Sequence, residues 1–407
     1  MDDIGLPFVT RIRISNYKSI DACDLGLGNL IFLVGPNGTG KSNFLDALRF
    51  VTDSLQTSLD HALRDRGGIK EVRRRSSGHP RHFGIRLDFT LDGERIGHYA
   101  FRIGARQRGG YEVVDEECSI HPYEILSTPP VSFRVTRGQV AATTQVAPKA
   151  QPDRLYLVTA SGIPEFRPVY DRLSRMGFYN LNPARIRELQ PTSASDVLMR
   201  DGSNIASIYR QIARRSPKTK ERIEEYLARV VPGIRGVEPK TVEPMETLEF
   251  RQDVAGARDP WRFPAASMSD GTLRAFGVLV ALFQSMNGAD VHVPLVGIEE
   301  PEVALHPAAA GLVFDALSDA SESTQVIVTS HSPDLLDNDR IKTESVLAVT
   351  LDAGETIIGS IDQAGRTALR DHLYTAGELL RMNQLMPDRS SRSAVKGSQL
   401  KLFGLDT

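Results

Sequence analysis

Cysteine is almost missing from this sequence: Cys23 and Cys118 are its only two, and neither stands at metal-ligand spacing. That excludes a disulfide-stapled scaffold and a cysteine-held zinc site, and it points to a reducing, cytoplasmic setting. Long apolar runs are missing too. Nothing approaches the about 20 residues that cross a bilayer, and the opening MDDIGLPFVTRIRI has no basic segment followed by an apolar one, so neither secretion nor membrane insertion is expected. A dominant charge sign is also absent, with 49 basic residues against 51 acidic ones and a net charge of −2. The balance neither favours nor disfavours a nucleic-acid partner. No heptad pattern is sustained, which excludes a long coiled coil. What remains is 41% hydrophobic and 25% charged residues over 407 positions, a soluble composition with room for one large domain or two to three ordinary ones.

The most informative stretch is NLIFLVGPNGTGKSNFLDA. Leu30 to Val34 reads as a buried strand, and Phe44, Leu45 and Leu48 fall on one face of a helix. Between them Gly35, Pro36, Asn37, Gly38, Thr39, Gly40, Lys41, Ser42 and Asn43 satisfy G-x-x-x-x-G-K-[ST] in the strand-loop-helix setting that motif requires. Glycines let backbone N–H groups turn inward around phosphates, and the helix N-terminus adds its positive dipole end. Lys41 is expected to reach the β- and γ-phosphates of ATP, and the Ser42 hydroxyl to hold Mg²⁺.

Before this loop, FVTRIRI alternates like a half-buried strand and leads to the turn Asn16 to Ser19. There Lys18 is either a solvated lysine or a contact for an α-phosphate. After it, Arg64, Arg66, Lys70, Arg73, Arg74, Arg75 and Arg81 face only Asp65 and Glu71 nearby in sequence, which fits a nucleic-acid contact and a solvated loop about equally. Antiparallel strands are expected at His82 to Phe89, Tyr99 to Ile103 and Val131 to Val135, with a turn at Asp92-Gly93. Gln139 to Asp153 reads as a surface excursion. From Pro168 to Pro232 the pattern is helical, with two helices broken at Ser216-Pro217 and a face of mixed charge stabilised by internal salt bridges.

Two further turns can carry chemistry. Ser269, Asp270, Gly271 and Thr272 open a helix whose apolar face runs from Leu273 to Phe283, which is an ordinary cap on its own and an anion site if a phosphate reaches it. The apolar strand Leu295 to Ile298 ends in Glu299 and Glu300. At a strand end one carboxylate can approach Mg²⁺ while its neighbour addresses an attacking water, and Glu302 is the next candidate. The strand QVIVT ends at Ser330 and His331, a histidine placed to hydrogen-bond a γ-phosphate.

In order, FVTRIRISNYKSI, GPNGTGKSN, SMSDGTLRAFGVLVAL, LVGIEEPEVALHP, VTSHSPDLLD and LYTAGELLRMN resemble the ABC-type ATPases related to SMC and RecF proteins, and more closely the bacterial AAA-labelled ATPases of the OLD-like group. The resemblance implies an α/β P-loop NTPase fold with a mostly parallel core sheet, an antiparallel side sheet and an inserted helical hairpin. It divides the chain into a first ATPase part (1–165), a helical insertion (166–234), a second ATPase part (235–380) and a tail (381–407). It implies an ATP-sandwiched homodimer or higher homo-oligomer in which Ser269 to Thr272 of one copy meet the γ-phosphate held by the other. Glu299 takes the metal-side position, Glu300 that of the catalytic base and His331 that of the switch histidine, and Lys18 falls where relatives place a basic residue near the phosphates. The function implied is Mg²⁺-dependent ATP hydrolysis in DNA maintenance or anti-phage defence, with DNA or RNA and a separate nuclease or toxin chain as partners. The alternative is a nucleotide-gated regulatory module with slow turnover. Glu299 stands where Asp is usual, the SDGT form differs from that of transporters, and Gln107 and Gln190 are both available for the family's Q-loop glutamine. No nuclease domain is expected after GELLRMN.

Overall fold

The computed structural model describes residues 6–76, 80–92, 95–107, 109–122, 130–144, 148–285, 292–388 and 400–404. At its centre lies a six-stranded sheet in the order Glu355–Ser360, Val346–Asp352, Leu30–Val34, Gln325–Ser330, Leu295–Glu299, Gly177–Tyr179. Every pairing in it is parallel except the one between Val346–Asp352 and the edge strand Glu355–Ser360. The inner strands are apolar without alternation because both faces are covered. Successive residues therefore feed two cores: Ile31 and Leu33 pack into one, Phe32 and Val34 into the other.

The first core lies between this sheet, the helix Lys41–Gln56 and a seven-stranded antiparallel sheet. That sheet runs Ile20–Gly26, Val9–Tyr17, His82–Leu91, Arg95–Ala105, Tyr111–Pro122, Val131–Thr136, Gln139–Thr143. One of its faces presents Ile12, Ile14, Phe83, Ile85, Phe101 and Ile103 to the core. The second core gathers the helices Ile205–Arg215, Pro217–Val230, Asp270–Phe283 and Ala310–Ala320.

The hydrogen bonding draws the segments differently from the sequence. Within 166–234 the strand Gly177–Tyr179 pairs with Leu295–Glu299 and so belongs to the central sheet. Conversely, Ile234–Val242, Met245–Gln252 and Trp261–Pro264 join Gln190–Pro191 in a separate four-stranded sheet that packs on the helical hairpin. Residues 139–143, read as part of an excursion, form a strand paired with Val131–Thr136. Of the Asp92-Gly93 turn, Asp92 has the positive φ of 53° that a tight turn requires, and Gly93 lies outside the described residues. The basic side chains of the hairpin do form salt bridges, mostly with acids outside it: Arg210 with Glu246, Arg215 with Asp196 and Arg222 with Asp319. Lys220 bridges both Glu224 within the hairpin and Glu238 beyond it.

Candidate nucleotide site

Parallel register brings the candidate residues to one edge. Val34 lies opposite Ser330, and Thr329 opposite Glu299, so Gly35, Glu300 and His331 all leave the central sheet at the same end. In open α/β sheets this carboxyl edge is where ligands bind. The glycines of the loop are required sterically. A Cβ on Gly35 would strike the carbonyl of Val349, and one on Gly40, whose φ is +101°, would strike Thr356. Thr356 in turn donates to the Thr39 carbonyl at 2.8 Å and contacts Ser19 at 2.7 Å, while Asn43 donates to Ser19 at 2.7 Å. The loop is thus clamped from the edge strand and from the turn after the first strand.

Lys41 is buried, and its ammonium donates to the carbonyls of Gly35 (2.7 Å) and Pro36 (2.9 Å). Burial lowers its pKa, while the nearby carboxylates of Glu300 and Glu302 act in the opposite direction. Pro36, Asn37, Gly38 and Ser42 are exposed at the mouth of the loop. Lys18 is not a solvated turn lysine. Its Nζ lies 2.6 Å from Asp46 on the phosphate-loop helix. The same carboxylate accepts from the Tyr17 hydroxyl at 2.7 Å and pairs with Arg66 at 2.8 Å, and Arg66 also reaches Asp53 at 2.9 Å. Burial alone would raise the Asp46 pKa; Arg66 and then Lys18 hold it well below the carboxylate range. Lys18, Ser42, Asn43, Arg200 and Glu299 line one cavity of about 270 Å³.

The carboxylates are held unequally. Glu299 Oε1 accepts from Arg200 at 2.7 Å. Glu300 sits at φ 47°, in the left-handed region, with its N–H on the Thr329 carbonyl and its Oε1 3.0 Å from His331 Nδ1. Arg274, on the helix that Ser269 opens, donates to the backbone carbonyls of both Glu299 (3.1 Å) and Glu300 (3.0 Å). Glu302 accepts from Ser330 at 2.5 Å, and its other oxygen is buried without a hydrogen-bond partner. Burial raises its pKa against the opposing effects of Ser330 and His331. Arg200, Arg274 and Glu302 complete the arrangement. Glu302 was a sequence candidate, whereas the two arginines had no local signal.

Ser269 to Thr272 stand apart from the loop. Ser269 caps its own helix by accepting from the Thr272 N–H at 3.1 Å, and Asp270 pairs with Arg187 at 2.5 Å. A Cβ on Gly271 would press on the Ala304 carbonyl. Ser269 and Asp270 face outward, and among the described residues no hydrogen bond or ion pair joins this turn to residues 35–42. Neither glutamine candidate is hydrogen-bonded to the loop. Gln190 is buried, spending its amide on the backbone of Arg185, Gly202 and Ala206, and Gln107 is exposed beside the end of the strand Arg95–Ala105. Four of the seven basic side chains of this stretch are paired: Arg64 with Asp60 and Arg75 with Glu71 four residues away, and Arg66 with Asp46 and Asp53 and Arg74 with Asp21 and Glu355 from other segments. Lys70 and Arg81 remain exposed.

Comparison with known proteins places the family and the fold. The family model described as "AAA domain, putative AbiEii toxin, Type IV TA system" matches residues 30–120 and 165–337, more than half of the chain. A protein named OLD nuclease from Thermus scotoductus is 24% identical over 377 residues, covering 86% of this chain and 63% of its own length. The chain therefore spans less than two thirds of that relative. Among solved structures, an SmcHead bound to the C-winged helix domain of ScpA aligns with TM-score 0.56 at 15% identity over 88% of this chain and all of that one. An Smc head domain with an extended coiled coil from Pyrococcus furiosus aligns with TM-score 0.54 at 13% identity over 90% and 100%. At these identities the likeness concerns the fold, which is that of an SMC-type head.

Proposed function

This chain belongs to the AAA-domain family matched above, and from that premise we propose that it binds and hydrolyses ATP with Mg²⁺ in a site completed by a second copy. The observation that carries the proposal is the convergence of the Lys41 loop, Glu300 and His331 at one edge of the central sheet. A loop whose Gly35 and Gly40 admit no Cβ, at the start of a 16-residue helix, suits a polyphosphate. Lys41 exchanges the carbonyls of Gly35 and Pro36 for phosphate oxygens. Glu300 orients and deprotonates the attacking water, with His331 hydrogen-bonded to it and facing the terminal phosphate. Thr39, Gly40 and Asn43 shape the cradle, and Lys18, held by Asp46, lines the cavity beside Ser42 within reach of a bound phosphate.

The residues fit Mg²⁺. Ser42 and Glu299 share a cavity, and among the described residues no three His, Cys, Asp or Glu side chains gather to hold a metal by themselves. This suits an ion that takes most of its ligands from phosphate and water. When bound, Mg²⁺ would neutralise charge on the phosphates. The outward Ser269, Asp270, Gly271 and Thr272 serve the nucleotide of the partner copy. The test is turnover and equilibrium ATP binding by the purified chain beside Lys41→Ala. Loss of both in the variant is expected, and a folded variant with unchanged affinity overturns the phosphate-loop assignment.

One observation favours the regulatory alternative: Glu299 is already paired with Arg200, so metal binding competes with a guanidinium and turnover at limiting Mg²⁺ is reduced. Single-turnover and steady-state rates separate the two readings. A role in DNA maintenance or defence, with a separate nuclease or toxin chain and with DNA or RNA reached through Lys70 and Arg81, extends the proposal from the relative named OLD nuclease. Turnover with and without DNA tests it.

A further inference from the structure

The outer face of the seven-stranded sheet carries charge where a solvent-facing sheet would expose it, yet Arg13, Arg86, His98 and Glu117 are all buried. Residues 400–404, a segment in no strand, lie against Arg13, Arg86 and Glu117, and His98 is hydrogen-bonded to Glu117 beneath it. The contacts are directed at its backbone. Arg86 donates to the carbonyls of Gly404 (2.6 Å) and Leu402 (3.3 Å), Arg13 reaches that of Lys401 (3.4 Å), and the Gly404 N–H donates to Glu117 at 2.9 Å. Two side chains of the segment have fitted places. Leu402 is buried over Gly84, where a Cβ would meet its Cδ1, and Phe403 lies against the guanidiniums of Arg102 (5.0 Å) and Arg134 (5.9 Å).

We propose that this face is a binding site for a short peptide of the pattern leucine, aromatic, glycine, occupied in this chain by its own residues 401–404. Three features distinguish a receptor from ordinary core. Buried charges are tolerated only when paired and hydrogen-bonded, and here part of that pairing comes from peptide carbonyls and an amide, groups that any peptide offers. Burial raises the Glu117 pKa, but hydrogen bonds from His98 and the Gly404 amide outweigh it and the carboxyl lies below its ordinary value. Specificity comes from the Gly84 recess and the arginines around Phe403, each matched to one side chain. The face is opposite to the one that packs against the phosphate-loop helix, so the site is independent of the ATPase reading.

The test uses full-length protein in which Leu402→Asp and Phe403→Ala disable the internal segment, and a fluorescent decapeptide SQLKLFGLDT. Saturable binding is expected. The wild-type chain should bind the same peptide at least about tenfold more weakly, because a tethered segment competes at a millimolar effective concentration. Changes in the peptide leave protein folding untouched: leucine to aspartate should weaken binding about 10- to 100-fold, the value of one buried leucine, and a scrambled peptide should not bind. In the wild-type chain, millimolar unlabelled peptide should accelerate hydrogen exchange at residues 400–404. Absence of binding by a folded variant, equal binding of the scrambled peptide, or unchanged exchange overturns the site. A wild-type dimer that Leu402→Asp converts to monomer would overturn the internal occupant, because the segment would then be exchanged between copies.

Discussion

The two ends of the candidate site are built to different degrees. Around the phosphate loop most polar groups already have partners within the chain: Asp46 has Lys18 and Arg66, Glu299 has Arg200, Glu300 has His331, and the loop backbone has Thr356, while one oxygen of Glu302 is left over. The turn Ser269 to Thr272 caps only its own helix and presents Ser269 and Asp270 to solvent. A finished half and an open half in one chain make sense when the open half is completed elsewhere. The difference predicts that mutations at the first end damage the chain itself, whereas mutations at the second damage its association.

The largest effect should follow Asp46→Asn, which leaves Arg66, with a side chain only 3% exposed, short of its main partner. Breaking a buried pair in this way costs about 3–5 kcal/mol, read as a lowered denaturation midpoint. The pH dependence carries the same sign. Asp46 has a depressed folded pKa, so its contribution is present above the ordinary carboxylate pKa and lost as pH falls through the folded value. The variant should therefore lose less stability on acidification than the wild type, and an equal loss would assign the acid sensitivity elsewhere. Next comes Glu300→Gln, expected to bind ATP and turn it over about a hundredfold more slowly, or about 2.7 kcal/mol in barrier. Near-normal turnover would pass the role of base to Glu299 or Glu302. At the open end, Ser269→Arg should cost about 1 kcal/mol through the lost cap and yet abolish association. Sedimentation of Glu300→Gln with ATP and Mg²⁺ should show mass doubling that ADP does not produce, and the added Ser269→Arg should prevent it. Full activity in a permanent monomer would refute the shared site. The smallest effect is that of Arg200→Ala. An ion pair with an arginine 45% exposed is worth under about 1 kcal/mol, so the Mg²⁺ concentration for half-maximal turnover should fall only about two- to fivefold. A rise would mean that Arg200 helps to hold the site instead of competing for it.

What could be read in advance follows the same division between local and distant causes. The phosphate loop was legible because strand, glycines and helix lie within one short stretch. The ends of the two sheet strands, at Glu299-Glu300 and at His331, were legible as apolar runs that stop in polar residues. Arg200, Arg274 and the Asp46 cluster were not, since each meets its partner through the fold and carries no mark in sequence. Lys18, Arg66 and Arg74 show the reverse error: a local charge count missed Asp46, which pairs with Lys18 and Arg66, and Asp21, Asp53 and Glu355, which pair with Arg66 or Arg74 from other segments. The strand Tyr111–Pro122 escaped notice because Glu116 sits where an apolar residue belongs. Its carboxylate is buried on the amides of Tyr156 and Leu157, and burial raises its pKa to about 7.

The left-handed backbone at Glu300 has a consequence for inheritance. A non-glycine residue held at φ 47° carries about 1–2 kcal/mol of conformational strain, which glycine would relieve while giving up about 0.5–1 kcal/mol in chain entropy. A Glu300→Gly allele would consequently encode a chain that folds at least as well as its parent, escapes quality control and still offers an intact Ser269 turn to a normal copy. Under the proposed shared site such an allele would poison mixed pairs, so damage at this position would behave as dominant, whereas damage at Asp46 would lower the amount of folded chain and behave as recessive.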